Sequence, residues 1–349
     1  MRSVVRQMAG EVGRLLALAA CGVVLAFVVF EGALRLAGVP SGVVSSVAWA
    51  YDVDGETLGP FRAGVRVNSP WPAEIAFEAS FNALGCRGPE PGHGSASPVL
   101  VMGDSLTFGV GVDDPDTWPA ILDRRLVETG RGRPVVNLST AMLIMRDHLA
   151  HLDRATAELS PGTVMLMLRV FDGPEHLDDV GETPFQAALS EERRRRSWPR
   201  GLVRSLAVFQ ARDFINLWRK RLDAQARGEA YFVPDQHRSL EPDPPELRGR
   251  LESQILELAA RVEAAGARLV LLPFPSIVVE DGRARFVEPW TQRLVQDLGL
   301  PYVDVTGAFQ RQPDPSSLLL LPWDLHASPR GNAVVAEAAL ELLSGLESG

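Results

Sequence analysis

Hydrophobic positions along this chain change their spacing three times. From Leu15 to Phe30 the run LLALAACGVVLAFVVF carries no charge and is apolar all round, which predicts a single long helix. From about residue 40 to 97 glycine, proline and serine interrupt every pattern, which predicts an irregular lead-in packed on the domain that follows. From residue 98 short apolar runs alternate with segments of helical spacing. Strands are predicted over 98–103, 134–138, 163–170, 268–273 and 302–305. Helices are predicted near 118–128, 144–157, 245–265 and from Pro329 to about Leu343; Pro329 suits a first helical turn. In the first of these, Trp118, Ile121, Leu122 and Leu126 fall on one face. Strands alternating with helices predict an α/β domain on a parallel sheet. Residues 173–244 do not alternate. They carry Arg193 to Arg196, Trp198, Trp218 and the Pro-rich stretch 241–245, and read as a partly helical insertion of the kind that forms lids or substrate walls. The expected organisation is an N-terminal segment over 1–39, the lead-in over 40–97 and the α/β domain over 98–349 with its insertion.

The N-terminal run is most simply a signal-anchor helix through residues 15–39. Arg2, Arg6 and Arg14 precede it against a single Glu11, and Glu31 and Arg35 lie one turn apart at its far end. The positive-inside rule then places the N-terminus in the cytoplasm and everything after about residue 40 outside, on a single-pass inner-membrane protein. A cleaved signal peptide and a buried core helix are alternatives. So is a lipoprotein signal, because Leu18-Ala19-Ala20-Cys21 resembles a lipobox with Cys21 as the acylated residue. The polar turn that normally follows such a cysteine is missing.

Composition narrows the chemistry. The 349 residues are 46% hydrophobic and 23% charged, enough apolar material for a sizeable core. A net charge of -9 argues against a nucleic-acid partner. The Arg193–Arg196 run reads as a solvated face. Six histidines and two cysteines show no zinc spacing, and a Cys21–Cys86 disulfide is implausible with Cys21 in the apolar run.

Two short motifs remain. Gly103-Asp104-Ser105-Leu106 follows the first predicted strand, where an open α/β sheet exposes a nucleophile. Asp324-Leu325-His326 stands just before the last helix. A serine hydroxyl needs a base, and the base needs an orienting carboxylate, so Ser105, His326 and Asp324 are the candidate set for acyl transfer. His93, His148, His151, His176 and His237 have no such context and read as surface or capping residues. Asp104 and Asn137 read as supports of the nucleophile turn, and Asp304 as a cap.

These blocks, with Pro329-Arg330-Gly331, resemble the SGNH (GDSL-type) hydrolase family over about 98–170 and 265–345. Asn82-Ala83-Leu84-Gly85-Cys86-Arg87-Gly88 and Glu31-Gly32-Ala33-Leu34-Arg35-Leu36 resemble a bacterial membrane-anchored subgroup. The resemblance implies a flavodoxin-like three-layer α/β/α sandwich with a five-stranded parallel sheet. It also implies Ser105 as nucleophile, His326 as base, Asp324 as orienter, and no metal or organic cofactor. Two family blocks differ here. Ser139 stands where the family has an oxyanion-hole glycine, and its N–H remains as the expected donor. Phe171 stands where the family has an asparagine donor. Arg169, two residues earlier on the same strand face, is a candidate substitute or a site for an anionic substrate group.

The expected function is an extracytoplasmic serine esterase or deacetylase acting on an acylated cell-envelope or exported carbohydrate, its rate reduced by the altered oxyanion hole. Two alternatives share the residues: an O-acyltransferase, and an impaired domain that binds glycan or a protein partner.

Overall fold

The computed structural model describes residues 2–36, 43–44, 47–69, 76–91, 97–141, 143–169, 181–196, 236–237 and 245–348. Its strands of three or more residues are β1 (Arg66–Ser69), β2 (Phe77–Ser80), β3 (Val99–Met102), β4 (Val135–Asn137), β5 (Thr163–Leu168), β6 (Arg268–Pro273), β7 (Ser276–Glu280) and β8 (Arg283–Val287). Its helices are α1 (Arg2–Leu36), α2 (Ser105–Phe108), α3 (Trp118–Glu128), α4 (Met145–Leu159), α5 (Pro184–Arg196), α6 (Pro245–Ala264), α7 (Trp290–Asp297), α8 (Val305–Gln310) and α9 (Pro329–Ser348).

The central sheet has the order β4-β3-β5-β6, and every pairing is parallel. Val99 aligns with Val135 on one side and Thr163 on the other, and Thr163 aligns with Arg268. The strands read as unbroken apolar runs because both faces are covered. Val99, Val101, Met165, Met167, Val270 and Leu272 face α3, α8 and α9. Leu100, Val136, Val164, Leu166, Leu269 and Leu271 face α4, α6 and α7. The three-layer sandwich is therefore as expected. The strand order reverses at β3, with the chain stepping to β4 on one side and then crossing back to β5 on the other, so the crevice beyond the carboxyl end of β3 is the sheet's switch point.

The sheet has four strands, not five. Where the fifth was expected, Tyr302 makes one parallel bridge to Leu271, with Leu271 N–H donating to Pro301 O at 3.0 Å and Val303 N–H to Leu271 O at 2.9 Å. Pro301 has no N–H to extend the ladder. Asp304 then caps α8 by accepting from Gly307 N–H, so the chain turns helical two residues after the bridge.

The lead-in is more ordered than its composition predicts. β1 and β2 pair antiparallel, with Arg66 opposite Ser80. Its interior is an aromatic cluster of Tyr51, Phe61, Phe77 and Phe81, which takes in Phe108 from α2 and Phe185 from α5. Phe61 and Phe81 stack with ring centres 3.9 Å apart. The antiparallel hairpin β7–β8 was not anticipated. Gln236–His237 pairs with Val278 and Val279 beside it. Within the insertion, Pro184–Arg196 is helical, and Arg193 and Arg194 are exposed on it. Trp198, Trp218, His93, His176 and the 241–244 part of the Pro-rich stretch lie outside the described residues.

The chain divides into two compact units, residues 1–43 with 195–227, and 44–194 with 228–349. In the first, α1 contains a stretch of 22 residues, Gly13–Leu34, with mean hydropathy 2.4. At 1.5 Å per residue that is about 33 Å, enough for a bilayer core. Leu15, Leu18, Val23, Leu25 and Val28 are all exposed. A signal sequence satisfies the same criteria.

His148 is not the surface or capping residue expected. It sits in the first turns of α4, buried, and its Nδ1 has no hydrogen-bond partner among the described residues. Burial, then the nearby His151, push its pKa down to about 3. Above about pH 6.5 the residue is neutral folded or unfolded and contributes nothing. Below that, the unfolded chain takes up a proton that the folded chain refuses, so stability falls as pH drops from 6.5 toward 3. Denaturant unfolding should lose about 1 kcal/mol per pH unit more in the wild type than in His148→Leu over that window. Parallel pH profiles for the two proteins would refute this.

Candidate active site

Ser105 is the first residue of α2, directly beyond β3. Asp104 caps the helix by accepting from Leu106 N–H at 2.9 Å, as expected of a supporting residue. Gly103 makes the bend possible. A Cβ on it would lie 2.1 Å from Thr107 Oγ1 and 3.3 Å from Met167 Cβ. Gly109 ends the helix in the left-handed region, at φ 88°.

The loop after the short 3₁₀ helix Pro315–Leu318 brings the second motif to the same place. Leu319 and Ala327 bridge antiparallel, and Leu320 N–H donates to His326 O at 2.9 Å. Asn332, buried in α9, braces the loop. Its Nδ2 donates to Ala327 O and Ser328 O, both at 3.0 Å, while its Oδ1 accepts from Trp118 N–H at 3.0 Å. One side chain thus ties the histidine loop to the start of α3.

His326 Nε2 lies 2.7 Å from Ser105 Oγ, across 221 positions of sequence. His326 Nδ1 contacts Asp324 Oδ1, which also accepts from His326 N–H at 2.8 Å. Ser105, Asp324 and His326 are each half-buried. Burial pushes the Asp324 carboxyl up, but the His326 side chain and the N–H groups of His326 and Leu325 outweigh it and hold the group below the usual carboxylate range. A carboxylate held ionised on Nδ1 keeps that nitrogen protonated and leaves Nε2 as the acceptor facing Ser105. The arrangement can remove a proton from Oγ and return it to a leaving group.

Ser139 is fully buried, and its N–H donates to Asn137 Oδ1 at 3.1 Å, as does its hydroxyl. The donor expected for an oxyanion is spent on a side chain. Asn137 Nδ2 in turn donates to Thr107 O at 3.4 Å, so Asn137 does support the nucleophile turn. Arg169 is half-buried just past the end of β5; Phe171 lies outside the described residues. Cys86 is buried, its thiol pushed up by burial and then by Glu90, and it forms no disulfide with Cys21. Among the described residues no group of His, Cys, Asp and Glu is placed to hold a metal ion.

A family model for the GDSL-like lipase/acylhydrolase family matches residues 101–334, more than half of the chain and all of the site above. This chain belongs to the GDSL-like lipase/acylhydrolase family. Family members act on acyl esters by hydrolysis. The esterase TesA of Pseudomonas aeruginosa is 35% identical over 79 residues, which cover 23% of this chain and 39% of that protein. Among solved structures, a catalytic mutant of an acetylxylan esterase from Geobacillus stearothermophilus aligns at 17% identity and TM-score 0.38, over 72% of this chain and 95% of that one. A lipase/acylhydrolase from Enterococcus faecalis aligns at 15% identity and TM-score 0.38, over 71% and 96%.

Sequence reasoning gave no role to Arg87, Asp114 or Asn332, all of which hold parts of this GDSL site. Arg87 had a signal, since it sits in the distinctive Asn82–Gly88 stretch. Its side chain is 1% exposed, and burial draws its pKa down against the opposing charge of Asp114.

The tight approach at Gly103 gives a direct test. Gly103→Ala should destabilise the protein by about 1–3 kcal/mol. Thr107 is itself fully buried and has nowhere to go. A thermal midpoint equal to wild type would contradict the packing described.

Proposed function

We propose that this chain is a serine esterase or deacetylase in which Ser105 is the nucleophile, His326 the general base and Asp324 its orienter. The observation that carries the reading is the 2.7 Å contact between His326 Nε2 and Ser105 Oγ with Asp324 behind the imidazole. Nε2 takes the Oγ proton as the oxygen attacks the ester carbonyl. The imidazolium that forms is stabilised by the ionised Asp324. It returns the proton to the leaving alcohol, and water repeats the sequence to free the acid. The Ser105 N–H, first in a helix and without an intrahelical acceptor, is the donor suited to the tetrahedral oxygen. Arg169 would supply a second donor or bind an anionic substrate group. With Ser139 committed elsewhere, turnover is expected to be slow; loss of one such donor costs on the order of 10²–10³ in rate.

A fluorophosphonate probe tests this reading. Wild type should be labelled at Ser105, Ser105→Ala should not be labelled, and Asp324→Asn should react about 10⁴-fold more slowly. No labelling of folded wild type would reject the reading. The commitment of the Ser139 N–H would then favour the second one, an impaired domain that binds glycan or a protein partner.

We further propose that α1 anchors the protein in the inner membrane with residues after about 40 outside the cytoplasm. Acylated envelope or exported carbohydrates would then be the substrates within reach, with water or a sugar hydroxyl as acceptor. The basic residues before α1 and its 22-residue apolar stretch support this. In bacterial cells the full-length protein should stay with the membrane after an alkaline carbonate wash and be digested by protease added to spheroplasts. Recovery of a soluble, shortened protein would show cleavage instead.

A further inference from the structure

We infer that Arg87 is a positioning residue for the nucleophile, its guanidinium clamping the turn that aims Ser105. The inference rests on the proposed role of Ser105. Arg87 reaches the site from a turn built by the stretch before it. Asn82 Oδ1 accepts from Leu84 N–H at 3.0 Å and from Cys86 N–H at 3.1 Å, and Asn82 Nδ2 donates to Pro89 O at 2.9 Å. Gly85, at φ 73°, lies so close to Phe61 O that a Cβ would come within 2.2 Å. The backbone at Arg87 then bridges Asn137 at the end of β4, which points the side chain under α2.

There it uses all three guanidinium nitrogens. Nη1 donates to Phe108 O at 2.7 Å and Gly109 O at 2.6 Å; Nη2 donates to Val112 O at 2.6 Å and Glu78 O at 3.1 Å. Nε donates to Asp114 Oδ1 at 2.7 Å. The guanidinium carbon lies 4.7 Å from the Phe108 ring centre and 5.3 Å from that of Phe77.

These partners are close to the chemistry. α2 is four residues long, and a single turn does not hold itself in water. Phe108 O and Gly109 O are at its C-terminal end, where carbonyls lack helical donors. Gly109 N–H and Val110 N–H both donate back to Ser105 O, at 3.0 and 3.1 Å. Fixing the peptides at 108–110 therefore holds the Ser105 carbonyl, and with it the backbone from which Oγ projects. A fork with several fixed donors meets carbonyls in several directions; an ammonium point charge cannot. Asp114 is itself held by Ser80, whose N–H donates to Asp114 Oδ2 at 2.8 Å, so the clamp has a fixed base.

Misaiming a nucleophile lowers the rate of attack more than it lowers substrate binding, which separates positioning from bulk stability. The test uses Arg87→Lys in the full chain, assayed with p-nitrophenyl acetate and a fluorophosphonate, well below its melting temperature. Leu126→Ala, a cavity variant in the core face of α3, serves as a destabilised control. Expected for Arg87→Lys are a kcat at least ten-fold below wild type, KM within about two-fold, and an equally slowed labelling rate, while Leu126→Ala keeps its kcat. Wild-type kcat in folded Arg87→Lys overturns the inference, as does an equal loss in Leu126→Ala. If Arg87→Lys does not fold, Asp114→Asn takes its place: a several-fold fall in kcat supports the clamp, and an unchanged kcat overturns it. Wild type that is never labelled rejects the Ser105 reading itself, a separate and recognisable result.

Discussion

A buried guanidinium organises this molecule. Arg87 carries a charge into the seam between the lead-in and the α/β sandwich. That charge must be matched there, because an unpaired ion away from water costs several kcal/mol. Asp114 and four backbone carbonyls match it. Those acceptors belong to β2, the end of α2 and the turn after it, so satisfying one side chain forces three segments into register. The aromatic cluster around Phe61, Phe81 and Phe108 packs in the same seam and gives the association its apolar content.

The α/β domain has its own version of this economy. Parallel strands buried on both faces place Ser105 at the carboxyl edge of β3, at the switch point. His326 has no strand to carry it. It hangs on a loop whose shape depends on the bridge between Leu319 and Ala327 and on the buried Asn332. Because Asn332 also accepts from Trp118 N–H, the loop is referenced to α3, which follows the nucleophile turn. The serine and the imidazole are therefore located from a shared frame.

Under the proposed reading, the two sides of the reaction are unequally provided for within that frame. The proton-transfer side is assembled, with an ionised carboxylate behind the imidazole. On the proposed oxyanion side, Ser139 carries a hydroxyl where the family resemblance leads one to expect a glycine. That hydroxyl and the Ser139 N–H converge on one oxygen of Asn137. A glycine there would have no hydroxyl to offer Asn137.

Much of the fold was legible in residue order. Unbroken apolar runs and helical spacing located β3, β4, β5, β6, α3, α4, α6 and α9 to within a few residues, because burial on both sheet faces writes itself into local composition. The candidates Ser105, Asp324 and His326 stood out for a related reason, each lying in a short motif, and the structure brings the three side chains into contact. The fifth strand was misjudged, since the apolar residues at 302–305 carry no mark of the ladder being cut off by Pro301 and the cap at Asp304. The burial of His148 was equally invisible, because it depends on what other elements bring to α4. Arg87 stood in a stretch that looked unusual and said nothing of what it touched. Its partners lie 9 to 27 positions away and are mostly carbonyls, which every residue has. Periodicity and motifs report what a residue needs from its neighbours in sequence. Which distant backbone groups meet a buried charge, and which N–H is left for an oxyanion, is settled only when the chain has closed around them.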